Sequence, residues 1–240
     1  MRLGIMQPYF FPYLGHFSLI ASVDKWIVFD VSQYTPKTWM NRNRILHPKT
    51  GWQYVTVPLA NSSISIKTSE ARVLSLANTK KSIIGKLSHY KKTAPYFHKV
   101  NEVVQQAFDN SLDDSLVSLN VSALSAVCDY LQIPFLYQIC SELELGYPDN
   151  IGPGDWAPYI CESLGATEYV NPSSGAEIFD VSDFLSRDTF LYFAEFSGFK
   201  YDTLLYSYEP NLSILDVMMW NSPEDIMAGL KQGTKLVKAT

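Results

Sequence analysis

The sequence has few cysteines, and nothing in their spacing suggests that they hold a metal. Three cysteines occur among its 240 residues, and they lie far apart, at Cys128, Cys140 and Cys161. There is no Cys-x-x-Cys pair and no cluster of cysteine with histidine, which argues against structural zinc. The pattern instead predicts buried, reduced thiols, as in cytoplasmic proteins, and no metal site.

Basic charge and long apolar runs are also scarce. Nineteen basic and 24 acidic residues give a net charge of −5, which disfavours the broad basic surface of a duplex-DNA-binding protein. No run of about 18 apolar residues occurs, so we expect no membrane span. The N-terminal residues also lack the apolar core of a signal peptide.

Several common catalytic motifs are missing as well. The sequence contains no Walker loop, no GxGxxG, no GxSxG and no DxD suited to a metal-dependent sugar transferase. We therefore expect a cytoplasmic protein that acts on a small molecule and not on nucleic acid. The composition leaves its oligomeric state open.

Hydrophobic and aromatic residues are abundant, at 47% and 14% of the chain. The first 30 residues read as the strand RLGIM, a helix with apolar residues at helical spacing from Leu14, and the strand KWIVFD. A strand–helix–strand unit of this length predicts a parallel sheet. We predict one α/β domain over residues 1–240, with a mostly parallel sheet, helices on both faces and a possible helical lobe at 79–131.

The rest of the chain offers weaker signals. Further strands are predicted at 53–59, 133–139, 167–171 and 189–196, and two closing helices at 211–220 and 222–233. Ser213 and Ser222 are the expected caps of those two helices. Residues 31–52 are polar and aromatic with two prolines and a glycine, which predicts a long loop.

Aromatic residues, proline, glycine and histidine crowd between the first strand and the first helix, in QPYFFPYLGH. A sharp strand-to-helix turn presents backbone N–H groups at the carboxyl edge of a parallel sheet, where anionic ligands bind. Gly15 allows close backbone approach, His16 can donate to a phosphate oxygen, and Gln7 needs partners for its amide. We predict that Gln7, Tyr9, Tyr13 and Gly15 bind substrate and that His16 is catalytic. Packing of the corner is the alternative, above all for the two phenylalanines.

The second cluster is KTWMNRNRI, where amide and guanidinium side chains alternate. In an extended segment Arg42 and Arg44 point the same way and form a two-pronged anion clamp, while Asn41 and Asn43 face the other side. Trp39 offers a flat ring on which a base or a sugar can stack. We predict that the two arginines are catalytic and that Trp39, Asn41 and Asn43 bind substrate. A solvated polar loop is the alternative.

The third cluster is EYVNPSSGAEIF, where a strand runs into a turn. Hydroxyl groups and a glycine at the carboxyl end of a strand can hold a phosphate or a sugar hydroxyl. We predict substrate-binding roles for Asn171, Ser173, Ser174, Gly175 and Glu177. A plain turn is the alternative, because Asn-Pro-Ser-Ser-Gly is turn chemistry.

These clusters together resemble the WbqC-like family. The similarity runs from near residue 4 to about residue 222 and rests mainly on MQPYFFPYLGHFSLI and TWMNRNRI. The segments KKTAPYF, ICESLGATEYVNPSSGAEIF and YEPNLSILDVMMWNS support it. The family occurs in gene clusters for O-antigen (lipopolysaccharide) and other cell-surface polysaccharides, so the resemblance implies an enzyme that acts on a nucleotide-linked sugar.

The opening turn also resembles the HxGH motif of nucleotidyltransferases, whose two histidines stabilise charge on a transferred α-phosphate. Gly15 and His16 match the last two positions of that motif. The first histidine is absent, with Leu14 directly before Gly15 and Tyr13 nearby. This partial resemblance implies an N-terminal unit like that of HUP-type nucleotidyltransferases.

Three functions are compatible with these observations. The leading hypothesis is transfer of an acyl or aminoacyl group to a nucleotide-linked amino sugar, with His16 moving protons or stabilising charge and Arg42 and Arg44 holding phosphate. The first alternative is an ATP-dependent nucleotidyltransferase or ligase that activates a carboxylate. The second is a non-catalytic binding module of a polysaccharide assembly complex. The cofactor is left open between a nucleotide and an activated acyl donor.

Overall fold

The computed structural model describes residues 1–148 and 151–240. Its strands are β1 Arg2–Met6, β2 Lys25–Val28, β3 Arg42–Leu46, β4 Trp52–Thr56, β5 Tyr137–Ile139, β6 Glu168–Pro172, β7 Phe190–Phe196 and β8 Thr234–Lys238. Its α-helices are α1 Leu14–Ile20, α2 Leu76–Leu87, α3 Phe97–Asp109, α4 Leu116–Leu131, α5 Trp156–Ser163, α6 Val181–Leu185, α7 Ile214–Trp220 and α8 Pro223–Gly233. Short 3₁₀ helices cover Thr68–Glu70, Ser88–Lys92, Cys140–Glu142 and Ser173–Ile178.

The central feature is a six-stranded sheet with the order β5-β2-β1-β6-β7-β8. Neighbouring strands run parallel except for β7 and β8, which are antiparallel. The predicted α/β fold with a mostly parallel sheet is therefore confirmed. Counted within the sheet alone, the strands follow the doubly wound order 3-2-1-4-5-6. Ligands bind such sheets outside the carboxyl ends of the strands where the order reverses, which here is between β1 and β6.

Helices cover both faces of the sheet because apolar side chains of the central strands point both ways. Leu3 and Ile5 of β1 pack into a smaller core with α5 and α6. Trp26 and Val28 of β2 pack into a larger core with α1, α4, α7 and α8, whereas Ile27 between them faces the smaller core. The sheet is thus buried on both sides, and its carboxyl edge is left for a site.

The helices whose apolar residues recur at helical spacing lie where the sequence predicts them. The stretch predicted as helical at 79–131 is occupied by α2, α3, α4 and one 3₁₀ turn. Ser213 caps α7 by accepting from Leu215 N at 3.2 Å, and Ser222 caps α8 by accepting from Asp225 N at 3.1 Å. Both predicted caps are confirmed.

The prediction of a long loop at 31–52 is wrong at residues 42–46 and at Trp52, which begins β4. Arg42–Leu46 forms β3, which pairs antiparallel with β4 in a separate two-stranded sheet. The connection closes at Gly51, whose φ of +68° suits glycine. Strand β8 was not predicted, and β5 covers only the last part of the predicted strand at 133–139.

Two further sequence-based expectations bear on chemistry. The three cysteines are free and buried, and burial raises the pKa of each thiol, as expected of inert core residues. Over residues 1–148 and 151–240, no helix combines the length and the apolar character needed to cross a membrane.

Candidate functional site

The opening turn, between β1 and α1, is held by buried polar side chains from three other segments. The Nδ2 of Asn43 donates to the carbonyl oxygens of Phe10 at 3.2 Å and Phe11 at 3.0 Å. Ser213 Oγ also donates to the Phe11 carbonyl, at 2.7 Å, and Asn120 Nδ2 donates to the Pro8 carbonyl at 2.8 Å. These bonds satisfy backbone acceptors that the turn would otherwise bury unpaired.

This anchoring divides the aromatic residues of the turn into two groups. Phe10 and Phe11 are fully buried and contact each other edge to face. Tyr9 is half-buried, and Tyr13 is 38% exposed. The phenylalanines thus pack the corner, as the alternative interpretation expected, and the tyrosines remain available to a ligand.

The tyrosines and the β3–β4 hairpin enclose a cavity of about 300 Å³, which we call the arginine pocket. It is lined by Tyr9, Tyr13, Trp39, Asn43, Arg44 and Asn211, together with Pro12. Two clusters that lie some thirty residues apart in sequence therefore meet at one cavity. Of the predicted residues, Tyr9, Tyr13, Trp39, Asn43 and Arg44 come together here.

Arg44 provides the positive charge of the arginine pocket. Its guanidinium lies between two indoles, with Cζ 5.4 Å from the ring centre of Trp39 and 5.1 Å from that of Trp52. Its Nη2 donates to the Asn211 carbonyl at 3.3 Å, while its buried Nε has no hydrogen-bond partner among the residues that the structure describes. In the part of the chain that the structure describes, no carboxylate forms an ion pair with it. A cation held in this way is suited to an incoming anion.

Arg42 lies outside the arginine pocket. It shares the half-exposed side of β3 with Arg44, while Asn43 between them is buried, so the predicted alternation is present. Its guanidinium stacks on Tyr54, with 4.1 Å between Cζ and the ring centre. Asn41 precedes β3, and its Nδ2 donates to the Val57 carbonyl at 3.2 Å.

His16 lies in the core of the protein. Its side chain is 3% exposed, and its ring centre lies 5.1 Å from that of Trp26 and 5.5 Å from that of Tyr9. Burial lowers the pKa of His16 from 6.5 to about 3, so the ring is neutral at physiological pH. The predicted proton-transfer and charge-stabilising role of His16 therefore does not fit its placement. The Gly-His pair looked like an exposed helix start, but this face of α1 points inward.

Gly15 makes room for Tyr13. A Cβ at Gly15 would overlap the Tyr13 ring and lie 2.8 Å from its Cζ. The glycine thus allows the phenol to fold over the first turn of α1. Burial raises the pKa of both Tyr9 and Tyr13, and the nearby Tyr13 raises that of Tyr9 further. Both tyrosines are consequently hydrogen-bond donors at neutral pH.

A larger cavity, the switch-point crevice, lies at the carboxyl ends of β1, β2 and β6. Its volume is about 700 Å³, and its wall includes Gln7, Tyr9, Asn171, Ser32, Trp156 and Phe179. This is where the reversal of strand order predicts a ligand. Tyr9 also lines the arginine pocket, so a single side chain separates the two cavities.

The polar groups of the crevice form two separate sets of hydrogen bonds. Gln7 Nε2 donates to Ser32 Oγ at 2.9 Å, and Gln7 Oε1 accepts from the Tyr9 hydroxyl at 3.3 Å. Asn171 Oδ1 accepts from the Tyr169 hydroxyl at 2.9 Å. Gln7 thus finds side-chain partners at its strand end, and it orients the hydroxyl that faces both cavities.

The third cluster divides between two cavities and the surface. Ser173 and Ser174 line a small pocket of about 140 Å³ together with Tyr13 and Gly15. Gly175 lines none of the three cavities, but a Cβ there would overlap the Asn171 amide. Glu177 is exposed and also lies outside these three cavities.

Sequence reasoning missed Asn211. Its carbonyl accepts from Arg44, and its backbone has a φ of +54°, a conformation that asparagine tolerates better than most residues. The Pro-Asn pair at 210–211 is a turn signal that marks a bend in the chain but does not reveal what faces it.

Comparisons with known proteins cover nearly the whole chain. The model of the WbqC-like protein family matches residues 7–228. The protein named "Uncharacterized protein Rv1507c" from Mycobacterium tuberculosis is 28% identical over 218 residues, which cover 90% of this chain and 92% of that protein. No solved structure matches the chain. Because the family model matches nearly its full length, this chain belongs to the WbqC-like protein family.

Proposed function

We propose that this protein is a transferase that passes an acyl or aminoacyl group to the amino group of a nucleotide-linked sugar, in the biosynthesis of cell-surface polysaccharide. The observation that carries the proposal is Arg44, whose guanidinium has no carboxylate partner within residues 1–148 and 151–240 and lines a cavity beside the switch-point crevice. Such an arginine suits a phosphate or diphosphate.

The two cavities suit the parts of a nucleotide-linked sugar. Phe179 and Trp156 give the crevice aromatic surface on which a ring can stack, and Gln7 and Asn171 add amides for polar edges. The arginine pocket supplies the cation for the diphosphate and the Trp39 ring for a sugar. Ser173 and Ser174 lie near Tyr13, where sugar hydroxyls would need partners.

The reaction balances with no redox partner. The sugar nitrogen attacks the carbonyl carbon of the donor, and a carbon–nitrogen bond forms. The bond from the carbonyl carbon to the leaving group breaks, and the leaving group departs with its electron pair. The amine loses one proton to solvent, since His16 is buried and its pKa, lowered to about 3 by burial, makes it a weak base.

The residues of the site contribute mainly by positioning and by electrostatics. Holding two reactants in register is worth several kcal/mol of barrier. The neutral hydroxyl of Tyr13 can donate to the oxygen that gains charge as the carbonyl is attacked. Arg44 would hold the phosphate that fixes the position of the acceptor.

The proposal is tested by calorimetry with a nucleotide-linked amino sugar and a matched set of arginine variants. We expect Arg44→Met to lower affinity about tenfold or more, since a charge-assisted bond to phosphate is worth about 1.5–3 kcal/mol. Arg187→Met is the control, because Arg187 pairs with Glu162 at 3.0 Å and lines none of the three cavities. Equal affinity in Arg44→Met and wild type would remove Arg44 from the site.

Arg42→Met tests the second prong of the predicted clamp. Arg42 stacks on Tyr54 outside the arginine pocket, so we expect its loss to lower affinity by less than that of Arg44.

Mass spectrometry after incubation with activated acyl and aminoacyl donors then tests transfer. The acceptor should gain the mass of the acyl group minus one hydrogen, and no gain across the donor panel would contradict the reaction.

A second candidate function is ATP-dependent activation of a carboxylate. The doubly wound strand order and the crevice at its switch point favour it, because nucleotides bind at that place in such sheets. Release of pyrophosphate from ATP in the presence of a panel of carboxylic acids tests this function. A pure binding module is less favoured, since Phe10 and Phe11 are buried and a polar pocket lies beside them.

A further inference from the structure

Another cavity shares a wall with the arginine pocket. This cavity, which we call the lysine cavity, has a volume of about 400 Å³, and its lining includes Lys200, Tyr201 and Tyr208. Tyr13 and Asn211 line both cavities. Molecules bound in the two cavities would therefore meet at these two side chains.

The aromatic wall of the lysine cavity is fixed by internal hydrogen bonds. The Tyr201 hydroxyl donates to Asp216 Oδ2 at 2.7 Å, and the Tyr208 hydroxyl donates to the Phe199 carbonyl at 3.2 Å. Asp216 is fully buried and also accepts from the Tyr90 hydroxyl. Because both hydroxyls are engaged within the protein, Tyr201 and Tyr208 present ring surface to the cavity.

Two glycines of α8 make room for this wall. A Cβ at Gly229 would lie 2.6 Å from Phe199 Cε2, and one at Gly233 would lie 2.8 Å from Phe196 Cε2. Phe196 and Phe199 both line the cavity. A glycine within a helix costs about 0.5–1 kcal/mol relative to alanine, and here it is the residue that admits the rings.

The charge of the lining is one-sided. Among the described residues that line it, Lys200 is the one basic side chain, and none is an aspartate or glutamate. Lys200 is exposed, and among the described residues no carboxylate forms an ion pair with it. An aromatic wall with one cation suits a molecule that has an uncharged body and one anionic end.

We infer that the lysine cavity binds the acyl donor, and that this donor is an acyl group carried on a phosphate. The inference rests on the proposed function and names the second substrate of that reaction. The phosphate lies at Lys200, and the carbonyl lies at the wall formed by Tyr13 and Asn211. The sugar nitrogen attacks this carbonyl, the carbon–oxygen bond to phosphate breaks, phosphate leaves with the electron pair, and the amine proton goes to solvent.

Acetonylphosphonate, an analogue of acetyl phosphate that cannot transfer its acyl group, is the probe. Its dissociation constant is measured by calorimetry or by NMR titration of the wild type and of Lys200→Gln. We expect the substitution to weaken binding about threefold to tenfold, because one exposed cation is lost. Lys235→Gln is the control, since Lys235 is exposed on β8 and does not line the cavity.

A second variant blocks the space and leaves the charge in place. Ser197 is exposed and lines the cavity, so we expect Ser197→Trp to prevent phosphonate binding without lowering the melting temperature. Equal phosphonate affinity in wild type, Lys200→Gln and Ser197→Trp would overturn the donor site.

The Arg44→Met variant separates this failure from that of the proposed function. It should bind phosphonate within about twofold of wild type while it loses affinity for the nucleotide-linked sugar. If phosphonate binds as expected but the sugar does not bind even to wild type, the cavity stands and the acceptor assignment fails.

Discussion

Gly15 affects the position of Tyr13 because glycine has no Cβ. The Tyr13 ring occupies the space that a Cβ at Gly15 would need, and Tyr13 lines three cavities. The ring is the mobile end of a side chain, so a larger residue at position 15 would displace it and leave the helix intact. The effect of a substitution should therefore fall on binding and not on folding.

Gly15→Ala is expected to lower affinity for the nucleotide-linked sugar by about threefold or more, with an unchanged or raised melting temperature. Alanine is favoured over glycine in a helix by about 1 kcal/mol, which offsets the displacement of Tyr13. Gly85→Ala in α2 is the matched control, since its added Cβ meets nothing within 4 Å. It should raise stability without changing affinity. A drop in affinity in both variants would contradict the assignment of Tyr13.

The burial of His16 predicts that the stability of the protein decreases in acid. Its pKa is about 3 in the folded protein and about 6.5 in an unfolded chain, so acid protonates the unfolded chain first. Its contribution to stability is fully present above pH 6.5 and is lost as the pH falls towards 3. At pH 5 the free energy of unfolding is lower by about 2 kcal/mol, because pH 5 lies about 1.5 units below the pKa of about 6.5 in the unfolded chain.

His16→Leu should remove this pH dependence and retain binding of the nucleotide-linked sugar. Chemical denaturation at pH 7 and pH 5 measures the change in the free energy of unfolding. The exposed His98 on α3 supplies the control, and His98→Gln should keep the wild-type difference between the two pH values. Loss of transfer activity in His16→Leu with intact stability would restore a catalytic role for His16.

At the scale of elements, the β3–β4 hairpin is tied to the opening turn by Asn43. Its amide donates to two turn carbonyls from the buried side of β3, opposite the side that carries Arg44. Asn43→Ala leaves the Phe10 carbonyl without this partner, while Phe11 keeps the bond from Ser213. We expect a loss of about 1–3 kcal/mol in the free energy of unfolding, measured by chemical denaturation.

Asn43→Asp provides the internal comparison. A carboxylate offers no N–H donor and places negative charge against the two carbonyl oxygens, so it should destabilise the protein more than alanine does. An aspartate variant as stable as wild type would show that the hairpin does not depend on this bond.

The elements also show where sequence reasoning succeeds and where it fails. Helices α7 and α8 were predicted with their caps because Ser213 and Ser222 precede apolar residues at helical spacing. Strand β3 was read as loop because its alternating Asn and Arg residues resemble a solvated segment. The signal that reveals it is the five-residue connection from His47 to Gly51, which precedes a strand of matching length.

At the scale of the whole molecule, the sheet order places the site before any side chain is considered. A strand–helix–strand unit followed by strands on the far side of β1 leaves a crevice between β1 and β6. The sequence predicted the mostly parallel sheet. It could not predict that Tyr9 and Tyr13 line the arginine pocket while His16 is buried in the core. Which residues are buried depends on the direction of the side chains of α1. That helix has only seven residues, too few for the spacing of its apolar residues to fix the buried face.

The most direct test is a crystal structure of the protein with a bound nucleotide-linked amino sugar. The account predicts density that runs from the switch-point crevice past Tyr9 into the arginine pocket, with a phosphate oxygen within about 3 Å of the Arg44 guanidinium. Density confined to any other part of the molecule, with the arginine pocket left to solvent, would contradict it.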